Sequence, residues 1–118
     1  MLVAINNDKL EVKNFSSNKK LFDSEFVNIA DTSFSEKNNL IFISLGKEIK
    51  IIKIDPINLL IEDVIQTISI EKQDLYFNIN SIYVFDKNSL VVYNKKMIFL
   101  FQKINGNKTY QLKSKLSL

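Results

Sequence analysis

Short apolar runs separated by compact polar turns recur along the chain, a pattern typical of antiparallel β-hairpins. Four pairs of runs are joined by turns rich in Asn, Asp, Gly or Lys, and Asn, Asp and Gly tolerate the backbone of a tight turn. The predicted pairs are residues 2–5 with 9–15, 40–45 with 48–54, 82–85 with 90–93, and 97–104 with 108–112. Because the last two pairs follow each other directly, residues 82–113 predict a four-stranded antiparallel meander.

Several runs are apolar at every position rather than at alternate ones, as at residues 40–43, 51–52 and 97–101. Successive side chains of a strand point to opposite faces, so such a run indicates a strand that is buried on both faces. We therefore expect these sheets to be covered on each side. The pattern predicts a mainly β domain of antiparallel hairpins and meanders, built either as propeller-like blades or as a compact β-sandwich.

Residues 56–69 predict one short helix. Asp55 is a favoured N-cap and Pro56 a favoured first helical residue. Apolar residues then follow at helical spacing: Ile57, Leu60, Ile61, Val64, Ile65 and Ile68. Most of them are β-branched, which favours the alternative of a strand after a loop. We expect a helix of about three turns, with its apolar stripe packed against a sheet.

A recurring order of residue types links residues 32–55 to a later part of the chain. Phe34-Ser35 follow a small residue, and a polar turn then leads into apolar strands at residues 40–44 and 49–55, the second of which ends in Asp. Residues 82–101 repeat this order more weakly, 50 residues further along. The order resembles that of a WD-type β-propeller repeat, and this resemblance implies propeller blades.

The chain departs from the WD pattern in two respects. It has no His and no Trp, so the histidine-centred network that orders WD blades is missing. Its 118 residues supply about two and a half repeats of roughly 40–45 residues, whereas a closed propeller needs about four to eight blades. Three interpretations stay open: part of a propeller completed by another chain, a degenerate fragment, or an unrelated β-meander or sandwich.

The composition predicts a single globular domain over residues 1–118, since 46% of the residues are apolar and 25% are charged. The run at residues 97–101 is too short to span a membrane, and Asn6 interrupts the N-terminal run too early for a signal peptide. We therefore expect an intracellular, cytoplasmic protein. The abundance of Ile, Asn and Lys, with few Gly and Pro, indicates an A/T-rich genome, because the codons of the abundant residues are A/T-rich.

The side-chain chemistry argues against an enzyme. The chain has neither His nor Cys, so it lacks the usual base of a catalytic triad, the cysteine nucleophile and the soft ligands of zinc. The two glycines are isolated, and no phosphate-binding loop is formed. Glu62 and Asp63 would diverge by about 100° on a helix. We expect no catalytic residues, no cofactor and no metal.

Charge is unevenly distributed along the chain. Residues 1–86 hold nine lysines against thirteen acids, a net charge of −4, whereas residues 87–118 hold seven lysines and no acid, a net charge of +7. Such asymmetry points to an acidic partner surface or to nucleic acid, although solvated lysines on turns explain it equally well. The candidate contact residues are Lys95, Lys96, Lys103, Lys108, Lys113, Lys115 and Tyr110.

These observations favour a non-enzymatic binding or scaffold module within a larger intracellular assembly, whose partners are other protein subunits. The alternative is a factor associated with a ribosome or another ribonucleoprotein, which contacts the RNA backbone through the basic C-terminal part. Lysines on turns can neutralise phosphates as point charges without reading base sequence. An enzyme is the least favoured class, and we expect neither membrane binding nor a small-molecule substrate.

Overall fold

The computed structural model of the chain describes residues 2–6, 9–13, 20–23, 28–70, 78–86, 88–104 and 108–118. In this part the predicted mainly β, antiparallel fold is confirmed, with eleven strands and one 3-10 turn at Glu36–Asn38. The strands are β1 (Leu2–Asn6), β2 (Lys9–Lys13), β3 (Lys20–Asp23), β4 (Asp31–Ser35), β5 (Leu40–Ser44), β6 (Glu48–Asp55), β7 (Leu60–Ser69), β8 (Ser81–Asp86), β9 (Ser89–Tyr93), β10 (Met97–Gln102) and β11 (Gln111–Ser117).

The strands form three antiparallel sheets, each from a continuous part of the chain. Sheet 1 contains β1 to β3, sheet 2 contains β4 to β7, and sheet 3 contains β8 to β11. Within each sheet every strand pairs with its neighbour in sequence, so each sheet is a simple up-and-down meander. The four-stranded meander predicted at residues 82–113 is confirmed as sheet 3, which extends to Ser117.

All four predicted strand pairs are confirmed: β1 with β2, β5 with β6, β8 with β9, and β10 with β11. The bounds of the last pair differ from the prediction, since β10 ends at Gln102 and β11 begins at Gln111 rather than at Lys108. The β5–β6 turn is closed by Leu45, whose N–H donates to the carbonyl of Glu48 at 2.9 Å. Gly46 within it has a φ of +88°, a conformation that favours glycine. The predicted turn residues 7–8 and 105–107 lie outside the described residues.

Sheet 2 is the central layer, and it is covered on both faces as its apolar strands predict. One apolar core lies between sheets 1 and 2 and includes Leu10, Val12, Ile41, Ile43 and Ile52. A second core, called here the sheet 2–3 core, contains Phe42, Ile49, Ile51, Ile68, Ile70, Ile79, Ile82, Leu90, Val92, Phe99, Phe101 and Tyr110. Neighbouring residues of β5 therefore pack into different cores, as the period of two requires.

The helix predicted at residues 56–69 is wrong, because most of this segment is strand β7. Asp55 does act as a cap: its Oδ1 accepts a hydrogen bond from the Ile57 N–H at 2.8 Å. The turn it caps ends at once, since Leu59 has a φ of +54° and cannot continue a right-handed helix. The β-branched residues that follow pair with β6 through a ladder interrupted by two register shifts.

Polar side chains join sheets 2 and 3 at two points. Oδ2 of Asp31, on β4, accepts a hydrogen bond from the Ile82 N–H of β8 at 2.9 Å. The carboxamide of Gln66, on β7, pairs with the backbone of Tyr110: its Nε2 donates to the Tyr110 carbonyl at 2.9 Å, and its Oε1 accepts from the Tyr110 N–H at 2.8 Å. These links fix how the two sheets are placed relative to each other.

Candidate functional site

Sheet 3 has one covered face and one uncovered face. Phe99 and Phe101 of β10 are buried in the sheet 2–3 core, whereas Ile98 and Leu100 point to the other side and are half-buried. The side chains that share this second side by strand register form the outer face of sheet 3: Ser81, Tyr83, Val91, Tyr93, Ile98, Leu100, Ser114 and Leu116. None of these eight residues is charged.

Large apolar side chains of the outer face are open to solvent. Tyr83 is 56% exposed and Leu116 is 61% exposed. Phe85 lies beside Tyr83 on β8, because the two rings pack edge-on with centroids 5.3 Å apart. The expectation that β10 would be covered on both faces is therefore not met within the described part of the chain, where only its inner face is packed.

The outer side of sheet 1 has a different character. On β2 the half-exposed residues Lys9, Glu11 and Lys13 alternate with the buried residues Leu10 and Val12. This alternation of charged and apolar positions is typical of a sheet with one face in water. The two ends of the three-sheet stack thus differ: β2 presents charge to solvent, whereas sheet 3 presents aromatic and aliphatic side chains.

The six predicted lysines surround sheet 3 rather than form a single patch. Lys95 and Lys96 lie on the β9–β10 turn, while Lys103 and Lys108 lie at the opposite end of the sheet. The remaining two, Lys113 and Lys115, lie on β11, which is the edge strand. Lys103 and Lys108 line one cleft, and Lys95 and Lys96 line another at the opposite end of the sheet.

Tyr110, the predicted aromatic contact residue, is a core residue. Its side chain is only 4% exposed, and its ring packs edge-on against Phe42 with centroids 5.9 Å apart. The ammonium of Lys103 lies 4.9 Å from the ring centroid on the solvent side, a cation–π distance. Tyr110 therefore holds Lys103 in place and offers no open ring on which a base could stack.

We expect Tyr110 to ionise at an unusually high pH. Burial, with a further contribution from the negative charge of Asp86, raises the pKa of its hydroxyl to about 12. An unfolded tyrosine ionises near pH 10, so the folded state loses stability as the pH rises from about 10 towards 12. A titration followed at 295 nm should show a tyrosinate component near pH 12 that the Tyr110→Phe variant lacks. A titration unchanged by the substitution would contradict this assignment.

Two cavities lie between sheets 2 and 3 at the end where Lys103 is found. One has a volume of about 450 Å³ and is lined by Phe34, Ser35, Lys37, Asn38, Val84, Phe85 and Asp86. The other, called here the lysine cleft, has a volume of about 510 Å³ and is lined by Asn38, Leu40, Lys53, Ile65, Asn88, Lys103 and Lys108. Its lining carries three positive charges and no negative charge.

Within the described ranges, no group of three or more acidic residues is arranged to hold a metal ion. No helix in those ranges is long and apolar enough to cross a membrane. Comparison with known protein families and with curated proteins gives no match for this chain. The resemblance to a WD-type repeat therefore stays a prediction, and any function must be argued from the surfaces themselves.

The outer face and Lys53 were not among the residues predicted from sequence. A signal for the face existed in residues 97–101, whose apolar side chains at every position predict two buried faces. No comparable signal existed for Lys53. It joins Lys103 and Lys108 only because sheets 2 and 3 pack together, and it lies 50 residues before Lys103 in the chain.

Proposed function

We propose that this chain is a non-enzymatic binding module that docks into a larger assembly through the outer face of sheet 3. The observation that carries the proposal is the mismatch on β10. Its sequence is apolar on both sides, yet among the described residues only the side that contains Phe99 and Phe101 is packed into a core. An uncharged face with exposed aromatic residues is typical of a protein–protein contact.

The expected partner is a different protein with an apolar centre and an acidic rim. The outer face is uncharged, but lysines lie near its borders: Lys95 and Lys96 on a turn, and Lys113 and Lys115 on the edge strand β11, where Lys115 pairs with Phe99 and so starts from the opposite side of the sheet. Residues 87–118 contain no acid to neutralise them. A second copy docked face to face would bring these lysines together, and juxtaposed like charges oppose association. Acidic residues on a partner would attract them.

The size of the outer face also indicates that the lysines around it contact the partner. Four strands at a spacing of about 4.8 Å and five residues at about 3.4 Å give a projected area of roughly 300 Å². A stable interface buries about 800 Å² on each partner. A partner that covers the apolar centre therefore has to extend onto the surrounding lysines as well. Tyr83 and Phe85 are the expected anchors, since aromatic side chains dominate the energy of such contacts.

We expect the Tyr83→Ser/Leu116→Ser variant to lose its protein partner. The native complex is purified through a tag on this chain. The complex is then treated with a zero-length carbodiimide cross-linker, which joins lysines to carboxylates in contact with them. In the unmodified complex, we expect Lys95, Lys96, Lys113 or Lys115 to be linked to an Asp or Glu of the partner. The double variant is expected to recover less than about a tenth of the amount of partner that the unmodified chain recovers. The matched control is Thr67→Ser/Thr109→Ser, which changes exposed side chains outside the outer face.

Other outcomes would overturn the proposal. Equal recovery of the partner by the double variant would show that the outer face is not its docking site. Light scattering that gives twice the chain mass, lost in the double variant, would make a second copy the occupant instead. Release of the chain from a particle by ribonuclease would favour the alternative in which lysines contact the RNA backbone.

A further inference from the structure

The lysine cleft is lined by lysines from two sheets. Lys53 comes from β6 of sheet 2, whereas Lys103 and Lys108 come from the connection between β10 and β11 of sheet 3. Asn38, whose Nδ2 also donates to Ser35 Oγ at 3.3 Å, and Asn88 line the same cleft. Each of these groups can donate hydrogen bonds, so the polar part of the lining is suited to an anion.

Backbone contacts hold the part of the cleft that carries Lys103. Its N–H donates to the carbonyl of Asn88 at 2.9 Å, which ties the two lining residues together. Its ammonium rests over the ring of Tyr110 at 4.9 Å. The backbone of Tyr110 is in turn anchored by its two hydrogen bonds with Gln66, one donated by the Gln66 Nε2 and one accepted by the Gln66 Oε1. Because Lys103 is positioned in advance, less conformational entropy is lost when it binds a ligand.

Few acids compete for these lysines. Lys53 Nζ lies 3.9 Å from Glu62 Oε2, with both side chains about half-exposed, and such exposed pairs are weak. Lys103 and Lys108 have no ion-pair partner among the residues that the structure describes. The carboxylate of Asp86 lines the neighbouring cavity, where its Oδ1 accepts a hydrogen bond from the Asn88 N–H at 2.7 Å.

We propose that the lysine cleft binds a small phosphate-bearing molecule. Ammonium groups form strong, charge-assisted hydrogen bonds with phosphate oxygens. The volume of about 510 Å³ falls in the range of small-molecule sites. Leu40 and Ile65 supply an apolar wall against which the non-phosphate part of such a molecule packs. The ligand is bound and not converted. This site is separate from the outer face, since neither Tyr83 nor Leu116 lines it.

The test is titration calorimetry of the whole chain with inorganic pyrophosphate and, separately, with adenosine monophosphate. We expect saturable binding of one molecule per chain. The Lys103→Gln/Lys108→Gln variant should bind at least about tenfold more weakly. The control, Lys95→Gln/Lys96→Gln, removes the same charge at the opposite end of sheet 3 and should change affinity by less than about twofold. Lys53→Gln, on another sheet, provides a second variant if the first alters the melting curve.

Each remaining outcome counts against the proposal. Equal weakening by both double variants would show attraction to net charge rather than a site. Absence of saturable binding of either probe at low salt would overturn it directly. Tight, salt-dependent binding of a single-stranded RNA, with no binding of the small probes, would reassign these lysines to a nucleic-acid backbone. Because the calorimetry uses the chain without its protein partner and none of the cleft variants changes an outer-face residue, failure here leaves the proposed protein contact untouched, and the reverse also holds.

Discussion

Replacing Phe99 with Ala is expected to lower the free energy of unfolding by about 3–5 kcal/mol. Phe99 is fully buried in the sheet 2–3 core, on the strand between β9 and β11. Removing its ring leaves a cavity between two sheets, and the closely packed strands around it can close only part of the space. Urea denaturation followed by circular dichroism gives the change.

The matched control is Ile98→Ala, one residue away on the same strand. Ile98 points to the outer face and is only half-buried, so its truncation removes less apolar contact and creates no enclosed cavity. We expect a cost below about 1.5 kcal/mol. Equal losses in the two variants would mean that the two faces of β10 are equally packed, which would contradict an uncovered outer face and the docking proposal based on it.

The Gln66→Ala variant is expected to lose about 2–3 kcal/mol of stability. Its carboxamide makes two hydrogen bonds to the backbone of Tyr110, and no strand supplies a replacement in the described part of the chain. Tyr110 is buried, so its freed N–H and carbonyl are left poorly solvated, which costs more than the bonds alone. Thermal unfolding of the variant measures this loss.

Thr67→Ala is the control for Gln66, since it is the next residue of β7 and is exposed. Its hydroxyl accepts a single hydrogen bond from Lys50 Nζ at 3.2 Å. Surface changes of this kind stay within about 0.5 kcal/mol. If Gln66→Ala behaved like the control, the side-chain bridge between sheets 2 and 3 would be unimportant. Weaker binding of pyrophosphate to Gln66→Ala is also expected, because Tyr110 supports Lys103 in the cleft.

Local patterns were sufficient to predict the hairpins, including the β5–β6 pair at the centre of sheet 2, but not its outer strand β7. Strand pairing between neighbours depends on short turns, and turn residues such as Gly46 are visible in the sequence. Segments with mixed signals were harder to predict. Asp55-Pro56 starts a turn whether a helix or a strand follows it. The β-branched residues after this turn form a strand because they pair with β6.

The candidate sites depend on how the sheets pack together, and this information is not local. Tyr110 stands beside Lys103 and Lys108 in an apparently basic, aromatic segment, yet packing with Phe42 takes it into the core. Lys53 appears in the sequence as one of many lysines and gains significance only opposite Lys103. The outer face is partly predictable from the sequence. The apolar residues of β10 predict two faces to be buried, but nothing in the sequence indicates which of the two faces the chain itself covers.

The pairing of every strand with its neighbour in sequence also bears on how the chain folds. Each sheet closes only short loops, so little entropy is lost before the first contacts form, and such low contact order favours rapid folding. Sheets 1, 2 and 3 are completed in the order in which a ribosome releases them. Sheet 1, on which sheet 2 packs, is therefore complete before β7, the last strand of sheet 2, is synthesised. Of the three sheets, sheet 3 is made after the other two, so its outer face, uncovered among the described residues, forms when sheets 1 and 2 can already support it.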